Sequence, residues 1–367
     1  MSHIHKIQNR LIRFLGLITI AVFGILSTVG TGGGGGDGTT SVQPLSYVGN
    51  TGPANITKDN ATTLVANVLF GGIIVGDIPV AVTTSSPDLQ SSETTLLIDR
   101  LSPLFKINLA DIITIIDNSQ LPVGADVPVS GTLPCENGYN ISFTGTLDNV
   151  TLLGTVTFTY SNCVLSGVTY NGIVIVRFDA VDLALQLPTD MTMNFSPLMT
   201  IVSSNPAFNV SATGSVRLQI NIGTDQEIYT MNFVSKDNSS GKMFKFENLK
   251  ITNMYDNVLL PNSYSQTFDG AGSAPAGRVY DSIYGYVDVT TPGALMYSNI
   301  TLSFPDSGGP MLLEGAIGSQ GGPMRIQLNV LNNIQILIDL DLDGDGVFEA
   351  PSYTLDWTDL LNPQPLP

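Results

Sequence analysis

The chain has 367 residues with 14 basic and 31 acidic side chains, and its formal net charge at pH 7 is −17. Phosphate binding needs clustered Lys and Arg, so this balance disfavours nucleic acid as a partner. Both histidines, His3 and His5, fall in the first 30 residues. The rest of the chain therefore lacks the commonest general base and transition-metal ligand, which excludes histidine-ligated zinc or haem and Ser-His-Asp catalysis there.

Residues 1–30 have the pattern of an export signal. Lys6, Arg10 and Arg13 precede an apolar stretch from Phe14 to Leu26, and small residues follow up to Gly30. The apolar stretch is shorter than the roughly 20 residues that a membrane span needs. We expect cleavage near Gly30, with an uncleaved anchor as the alternative.

Residues 31–54 are rich in Gly and Thr and include the glycine tract 32–36, so we expect a flexible lead. Removing residues 1–30 would remove three of the 14 basic residues and none of the 31 acidic ones, which takes the formal charge from −17 to −20. A lipid anchor would need a cysteine just after the signal, and the first cysteine is Cys135. We therefore expect no lipid anchor.

The signal and its glycine tract together resemble the start of uncharacterised secreted or envelope proteins of Gram-negative bacteria. This resemblance implies export to the periplasm, the cell surface or the medium. It implies no activity.

Residues 55–120 form the predicted helical segment. Thr57 is the predicted N-cap of a first helix over 58–70, which Gly71 and Gly72 end. A second helical stretch over 92–117 is broken or kinked at Pro103. The apolar face of the first helix comprises Ala61, Leu64, Val65, Val68 and Leu69. The core candidates of the second are Leu96, Leu97, Leu101, Ile112, Ile115 and Ile116.

From residue 127 to about 360 the apolar period changes to two, which is typical of antiparallel strands with one buried face. Val216, Leu218, Ile220 and Ile222 alternate with polar residues, as do Met324, Ile326, Leu328 and Val330. We predict a mainly β protein, a large antiparallel meander or sandwich with the small N-terminal helical segment packed on it. An α+β fold is the alternative. A Pro-rich tail, 361–367, follows.

Cys135 and Cys163 are the only cysteines of the chain. An even pair in an exported chain predicts a disulfide. Closing this loop should stabilise the fold by about 3–4 kcal/mol on the chain-entropy model.

The densest cluster of acidic residues spans 339–349, at the end of a predicted strand. Carboxylates at positions 1, 3 and 5, with Gly346 at the sharp turn, resemble the EF-hand-like calcium loops of secreted bacterial proteins such as dockerins, over residues 341–352. The ligands that this spacing predicts are the side chains of Asp341, Asp343, Asp345 and Glu349 and the carbonyl of Val347. Ser352 replaces the bidentate glutamate of an EF-hand, so we expect a weak site, with a dissociation constant of about 10⁻⁴ to 10⁻³ M. A solvated acidic turn is the alternative.

The flanks of this loop alternate as strands do. Ile334, Ile336, Ile338 and Leu340 precede the loop, and Tyr353, Leu355 and Trp357 follow it. The loop should therefore join two strands, where an EF-hand has two helices. Such a loop can pin a hairpin but has no helix pair to swing open.

Two other patterns suggest chemistry. The run 305–310 resembles the nucleophile sequence of chymotrypsin-like proteases, but the missing histidine leaves the serine without a base, so we predict a hairpin turn before a strand from Met311.

Paired carboxylates would suit a glycosidase. The candidate carboxylates are Glu136, Glu227, Glu247 and Glu314, and the candidate sugar-binding rings are Tyr280, Tyr284, Tyr286 and Tyr297.

The sequence therefore predicts an exported envelope protein of structural or binding type, stabilised by Ca²⁺ and one disulfide, with no enzymatic activity evident. Its partner would be an envelope or extracellular protein or a polysaccharide. A carbohydrate-active enzyme or binding module is the first alternative, and an outer-membrane β-barrel is the second.

Overall fold

The computed structural model describes residues 43–70, 123–165, 167–185, 187–204, 207–300 and 304–367. Within these ranges one α-helix packs on a large open antiparallel sheet of 17 strands, which confirms the predicted mainly β fold. The predicted export signal 1–30 and the second helical stretch 92–117 lie outside the described residues.

The helix is α1 (Ala61–Phe70). The strands are β1 (Asp126–Pro134), β2 (Asn140–Asp148), β3 (Gly154–Leu165), β4 (Val168–Asp182), β5 (Leu187–Ser204), β6 (Ala207–Asn221), β7 (Gln226–Asp237), β8 (Met243–Tyr255), β9 (Tyr264–Gly270), β10 (Gly277–Asp281), β11 (Gly285–Thr290), β12 (Leu295–Tyr297), β13 (Ser307–Gly308), β14 (Met311–Ile317), β15 (Pro323–Val330), β16 (Gln335–Asp341) and β17 (Glu349–Asp356). Short 3-10 helices follow β6 at Ile222–Thr224 and β17 at Trp357–Leu361.

Strands β1 to β9 form a meander in which each strand pairs antiparallel with the next. Alternate side chains point to opposite faces of a strand, so a period of two buries one face. In β6, Val216 and Leu218 are buried while Arg217 between them is exposed. The buried faces of these strands and of helix α1 belong to one hydrophobic core.

The sheet divides at strand β8. Residues 244–247 pair with β10, and residues 249–255 pair with β9. Asn248 separates the two halves in a left-handed conformation, with φ 53°, and its N–H donates to Asn232 Oδ1 of β7 at 2.8 Å. One arm continues through β10, β11, β14, β15, β16 and β17, and the other through β9, β12 and β13.

The end of the predicted flexible lead is held in the sheet, between β11 and β14. The Ala54 N–H donates to the Tyr286 carbonyl at 2.7 Å, and the Ala54 carbonyl accepts from the Ala316 N–H at 2.8 Å. Gly315 permits this approach, because a Cβ there would lie 2.3 Å from the Ala54 oxygen. Residues 50–54 are thus fixed by backbone pairing that their Gly- and Thr-rich composition did not indicate.

Helix α1 buries the predicted apolar face, and all of Ala61, Leu64, Val65, Val68 and Leu69 are buried. Its regular turns begin at Ala61, three residues later than expected, but Thr57 holds the predicted N-cap position, because its carbonyl accepts the Ala61 N–H at 3.0 Å. The Asn60 Oδ1 accepts the Thr57 N–H at 2.9 Å. Among the described residues, no helix has the length and apolar character to cross a membrane.

The Pro-rich tail packs against helix α1. Leu366 is buried, and its N–H donates to the Lys58 carbonyl at 3.0 Å. The Thr62 hydroxyl, in the first turn of the helix, donates to the Gln364 carbonyl at 2.7 Å. The helix is therefore held between the sheet and the last residues of the chain.

The predicted disulfide is present. Cys135, just after β1, and Cys163, in β3, are bonded with their Cα atoms 5.4 Å apart, and both are buried. The bond ties the β1–β2 hairpin to β3, next to a backbone hydrogen bond from Glu136 N–H to the Val164 carbonyl.

Candidate metal centre

The acidic cluster lies in the loop 342–348 between β16 and β17, so it joins two antiparallel strands, as the alternating flanks indicate. Ile336, Ile338 and Leu340 are buried on the core side of β16, and Tyr353 and Trp357 are buried beyond the loop. Ile334 departs from the expected pattern. It precedes β16 and is 61% exposed.

Asp341 ends strand β16 and is fully buried, at 0% exposure. Its Oδ1 accepts the Gly344 N–H at 2.7 Å, and its Oδ2 accepts the Gly346 N–H at 3.0 Å. Both glycines have left-handed backbones, with φ of 76° and 87°. Glycine adopts this conformation at little cost, so the chain can curl around the carboxylate that starts the loop.

Asp343 and Asp345 fold the loop further by bonding to backbone groups two residues ahead. The Asp343 Oδ1 accepts the Asp345 N–H at 3.1 Å, and the Asp345 Oδ1 accepts the Val347 N–H at 2.7 Å. Oxygens from Asp341, Asp343 and Asp345, one from each, all lie within 4.8 Å of one another. The structure thus brings together three of the predicted side-chain ligands.

Glu349 takes a different position from the three aspartates. Both of its carboxylate oxygens accept the Leu342 N–H, at 2.9 and 3.0 Å, so it closes the base of the loop. It is not part of the group of carboxylates within 4.8 Å of one another. Val347 has an exposed side chain.

A glycine-rich turn of the neighbouring hairpin, residues 318–322 between β14 and β15, supports the acidic loop from one side. The Gln320 N–H donates to the Asp343 carbonyl at 2.8 Å, and the Gly322 N–H donates to the Gly344 carbonyl at 3.0 Å. A Cβ on Gly318 would lie 2.2 Å from the Asp343 oxygen. Contact this close between two backbones requires glycine.

Arg325 brings a positive charge near the loop. It faces Asp341 across strands β15 and β16, and its Nε donates to Glu314 Oε1 at 2.8 Å. One guanidinium nitrogen lies 3.9 Å from where a Cβ on Gly346 would be. This guanidinium is already paired with Glu314, and the loop carries three clustered carboxylates, so the loop keeps a negative excess that favours a cation.

Sequence reasoning missed the turn 318–322 and Arg325. The recurrence of Gly-Gly-Pro-Met at 308–311 and 321–324 was a visible signal of special backbone positions. This repeated sequence does not indicate which other loop the glycines contact, because that contact depends on how two hairpins are arranged in the fold.

The protease-like run lies at a strand pair. Ser307 and Gly308 form β13, which pairs with β12, and β14 begins at Met311. Asp306 is engaged by Ser298, whose hydroxyl and N–H both donate to its carboxylate. Ser307 is exposed.

The four candidate carboxylates of a glycosidase each accept a hydrogen bond nearby. Glu227 accepts the Tyr255 hydroxyl at 2.7 Å, and Glu247 accepts the Tyr280 hydroxyl at 2.6 Å. Glu136 accepts a backbone N–H, from Gly167 at 3.4 Å, and Glu314 is bound by Arg325, as described above.

The candidate tyrosines separate into different places. The ring centroids of Tyr280 and Tyr286 lie 5.3 Å apart, whereas Tyr297 stacks on Tyr264 at 4.2 Å. Tyr280 and Tyr297 are buried, and the Arg278 guanidinium lies 3.8 Å from the Tyr286 centroid. These contacts place Tyr280 beside Tyr286 and put Tyr297 in a separate pair with Tyr264, while Tyr284 lies beside Lys242.

The chain matches no family model, no curated protein and no solved structure in the comparisons with known proteins.

Proposed function

We propose that this chain is an exported, non-enzymatic protein of the bacterial envelope whose last β-hairpin is stabilised by Ca²⁺. The observation that carries the calcium proposal is the convergence of Asp341, Asp343 and Asp345, with one oxygen of each within 4.8 Å of the others. Three carboxylates this close repel one another, and a bound cation would offset that repulsion.

Calcium suits the chemistry of this site. It prefers oxygen ligands, tolerates irregular geometry and accepts backbone carbonyls and waters in its coordination shell. The three aspartates and the Val347 carbonyl would be direct ligands. Glu349 occupies position 9 of the loop, which in EF-hand loops commonly binds Ca²⁺ through a water. This indirect role agrees with the Glu349 carboxylate being held by the Leu342 N–H.

The ion would act as a structural clamp. The loop connects β16 to β17, and the turn 318–322 already holds its carbonyls in place. Because both flanks are strands of one sheet, binding would tighten the hairpin without moving an element. The envelope role, with a protein or polysaccharide as partner, is supported by the signal-like residues 1–30 and by the disulfide, which is typical of oxidising compartments.

Thermal unfolding of the chelator-treated protein, with and without Ca²⁺, tests the clamp. At Ca²⁺ concentrations about 10 to 100 times the dissociation constant, binding should stabilise the folded state by about 1.4–2.7 kcal/mol. For a chain of this size we expect Tm to rise by roughly 2–4 °C.

Asp343→Asn keeps the shape of the side chain and removes one ligand charge, so it should abolish the rise. Asp59→Asn, at an exposed position before helix α1, is the control with the same change of charge and should keep it. An equal rise in both variants would show that the ion does not bind in this loop. A rise with Mg²⁺ as large as with Ca²⁺ would refute the assignment to calcium.

Fractionation of the producing bacterium tests export. We expect the protein outside the cytoplasm, with residues 1–30 removed. Recovery of the chain from the cytoplasm with those residues intact would refute an exported role.

A further inference from the structure

Asp281, at the end of β10, is a buried carboxylate with only 1% exposure. Its Oδ2 contacts two side-chain nitrogens, Lys242 Nζ at 2.9 Å and Asn67 Nδ2 at 2.6 Å. Its Oδ1 accepts the backbone N–H groups of Ile283 and Tyr284, at 2.8 and 3.2 Å. An amine and a carboxamide from distant parts of the chain therefore meet at one carboxylate oxygen.

These three side chains come from three elements that pack together only in the folded protein. Asn67 lies on helix α1, Lys242 lies in the turn between β7 and β8, and Asp281 lies on β10. Asn67 is 1% exposed and the Lys242 side chain is 17% exposed. The rings of Phe244 and Tyr284 cover the amine, with centroids 5.0 and 5.9 Å from Nζ.

The amide of Asn67 is incompletely satisfied. Its Oδ1 is buried and has no hydrogen-bond partner among the residues that the structure describes. A buried carbonyl without a donor costs about 1–3 kcal/mol, so such a group calls for an explanation.

A half-turn of the amide would place its oxygen at the 2.6 Å contact with Asp281 and its Nδ2 where Oδ1 now lies, and the oxygen is then satisfied only when Asp281 carries a proton. That distance is short for an N–H···O bond and typical for an O–H···O bond. A proton passed from Lys242 to Asp281 would allow Asp281 to donate to this oxygen. The transfer also leaves an uncharged amine, the form of lysine that acts as a nucleophile in a water-poor site.

We propose that Lys242 and Asn67 become joined by an intramolecular amide cross-link, with Asp281 as the acid and base of the reaction. Lys242 gives a proton to Asp281, and its Nζ attacks Cγ of Asn67. The Nζ–Cγ bond forms while the Asp281 proton stabilises the carbonyl oxygen. Transfer of a proton from Nζ to Nδ2 breaks the Cγ–Nδ2 bond, and ammonia leaves with the remaining proton as ammonium. Atoms and charge balance without an oxidant or a cofactor.

The cross-link would fasten helix α1, and with it the N-terminal segment, to the sheet by a bond that reducing agents do not break. It complements the disulfide, which lies within the loop that the new bond would close. The cross-link needs no metal, so its failure would leave the proposed calcium clamp untouched.

Mass spectrometry of the mature wild-type protein, reduced and denatured, tests the cross-link. We expect an intact mass lower than that of its sequence by one ammonia, and a branched peptide in which Lys242 is joined to Asn67. A full mass would overturn the proposal. Loss of ammonia located only at Asn137–Gly138 or Asn171–Gly172, where succinimides can form, would also overturn it.

Variants separate the role of each group. Lys242→Arg and Asp281→Asn should both restore the full mass, because the first removes the nucleophile and the second removes the proton acceptor. Lys245→Arg is the control, since Lys245 pairs with Glu247 at 3.3 Å on the same strand segment and should leave the mass loss unchanged. A cross-link found in the Asp281→Asn protein would refute the role of Asp281. If a variant does not fold, the peptide map of the wild type still shows whether the cross-link is present.

Discussion

The contact between the glycine turn 318–322 and the acidic loop can be tested with one methyl group. In Gly318→Ala, the added Cβ would lie 2.2 Å from the Asp343 oxygen and 2.3 Å from the Asp343 carbonyl carbon. Real Cβ atoms do not approach a backbone this closely, so one of the two loops must move. That movement would also strain the 2.8 Å hydrogen bond from Gln320 N–H to the Asp343 carbonyl.

The expected loss combines two terms. Forcing an extra methyl into a well-packed contact costs about 1–3 kcal/mol, and weakening one backbone hydrogen bond costs about 1 kcal/mol. We therefore expect Gly318→Ala to lower the free energy of unfolding by about 2–4 kcal/mol in chelator. Displacing Asp343 should also weaken Ca²⁺ binding, so the variant should gain less from added calcium than the wild type. Urea unfolding with and without Ca²⁺ measures both effects.

Gly223→Ala is the matched control for this substitution. Among the atoms within 4 Å of a Cβ there, only Asn221 Oδ1 is found, at 3.5 Å, which is an ordinary contact. Its free energy of unfolding should stay within about 0.5 kcal/mol of the wild type. If Gly318→Ala also stayed within that margin, in chelator and in calcium, the proposed support of the acidic loop by the turn would be refuted.

Two further predictions concern other parts of the sheet. The double variant Cys135→Ser/Cys163→Ser should lose about 3–4 kcal/mol in urea unfolding, and an unchanged midpoint would contradict a stabilising disulfide. The Tyr280 hydroxyl is the main cause that lowers the pKa of Glu247 below its usual 4.5. The stability from this contact is therefore present above pH 4.5 and is lost as the pH falls through the lower folded-state value. Tyr280→Phe should lower the free energy of unfolding at neutral pH. The further loss of stability in acid should be smaller in this variant than in the wild type. Parallel pH profiles of the two proteins would contradict this reasoning.

Several features of the fold could be predicted because they are local. Burial on alternate sides of a strand appears as a period of two, and it correctly identified Val216 and Leu218 as core residues. The same reasoning placed the acidic loop between two strands. The apolar face of helix α1 and its N-cap at Thr57 were equally visible, and the first regular helical residue differs by three because residues 58–60 form a turn before it.

Contacts between distant segments could not be predicted. The pairing of Ala54 with Tyr286 and Ala316 depends on where β11 and β14 diverge, which no local pattern encodes. The fork of the sheet at Asn248 likewise depends on which strands compete for the two halves of β8. A glycine in the sequence shows that another segment of the chain can approach its backbone closely, but it does not show which segment does so.

The sequence by itself determined the strand periodicity, the disulfide pair and the spacing of Asp341, Asp343 and Asp345, because each of these depends on residue type and short separation. The folded geometry of the loop decided that Glu349 accepts the Leu342 N–H rather than joining the aspartates. Only the tertiary structure decided that Lys242 and Asn67 share one oxygen of Asp281. The reason is physical. Side chains separated by hundreds of residues become neighbours only through the pairing order of a whole sheet, and that order minimises the free energy of the complete chain rather than of any one segment.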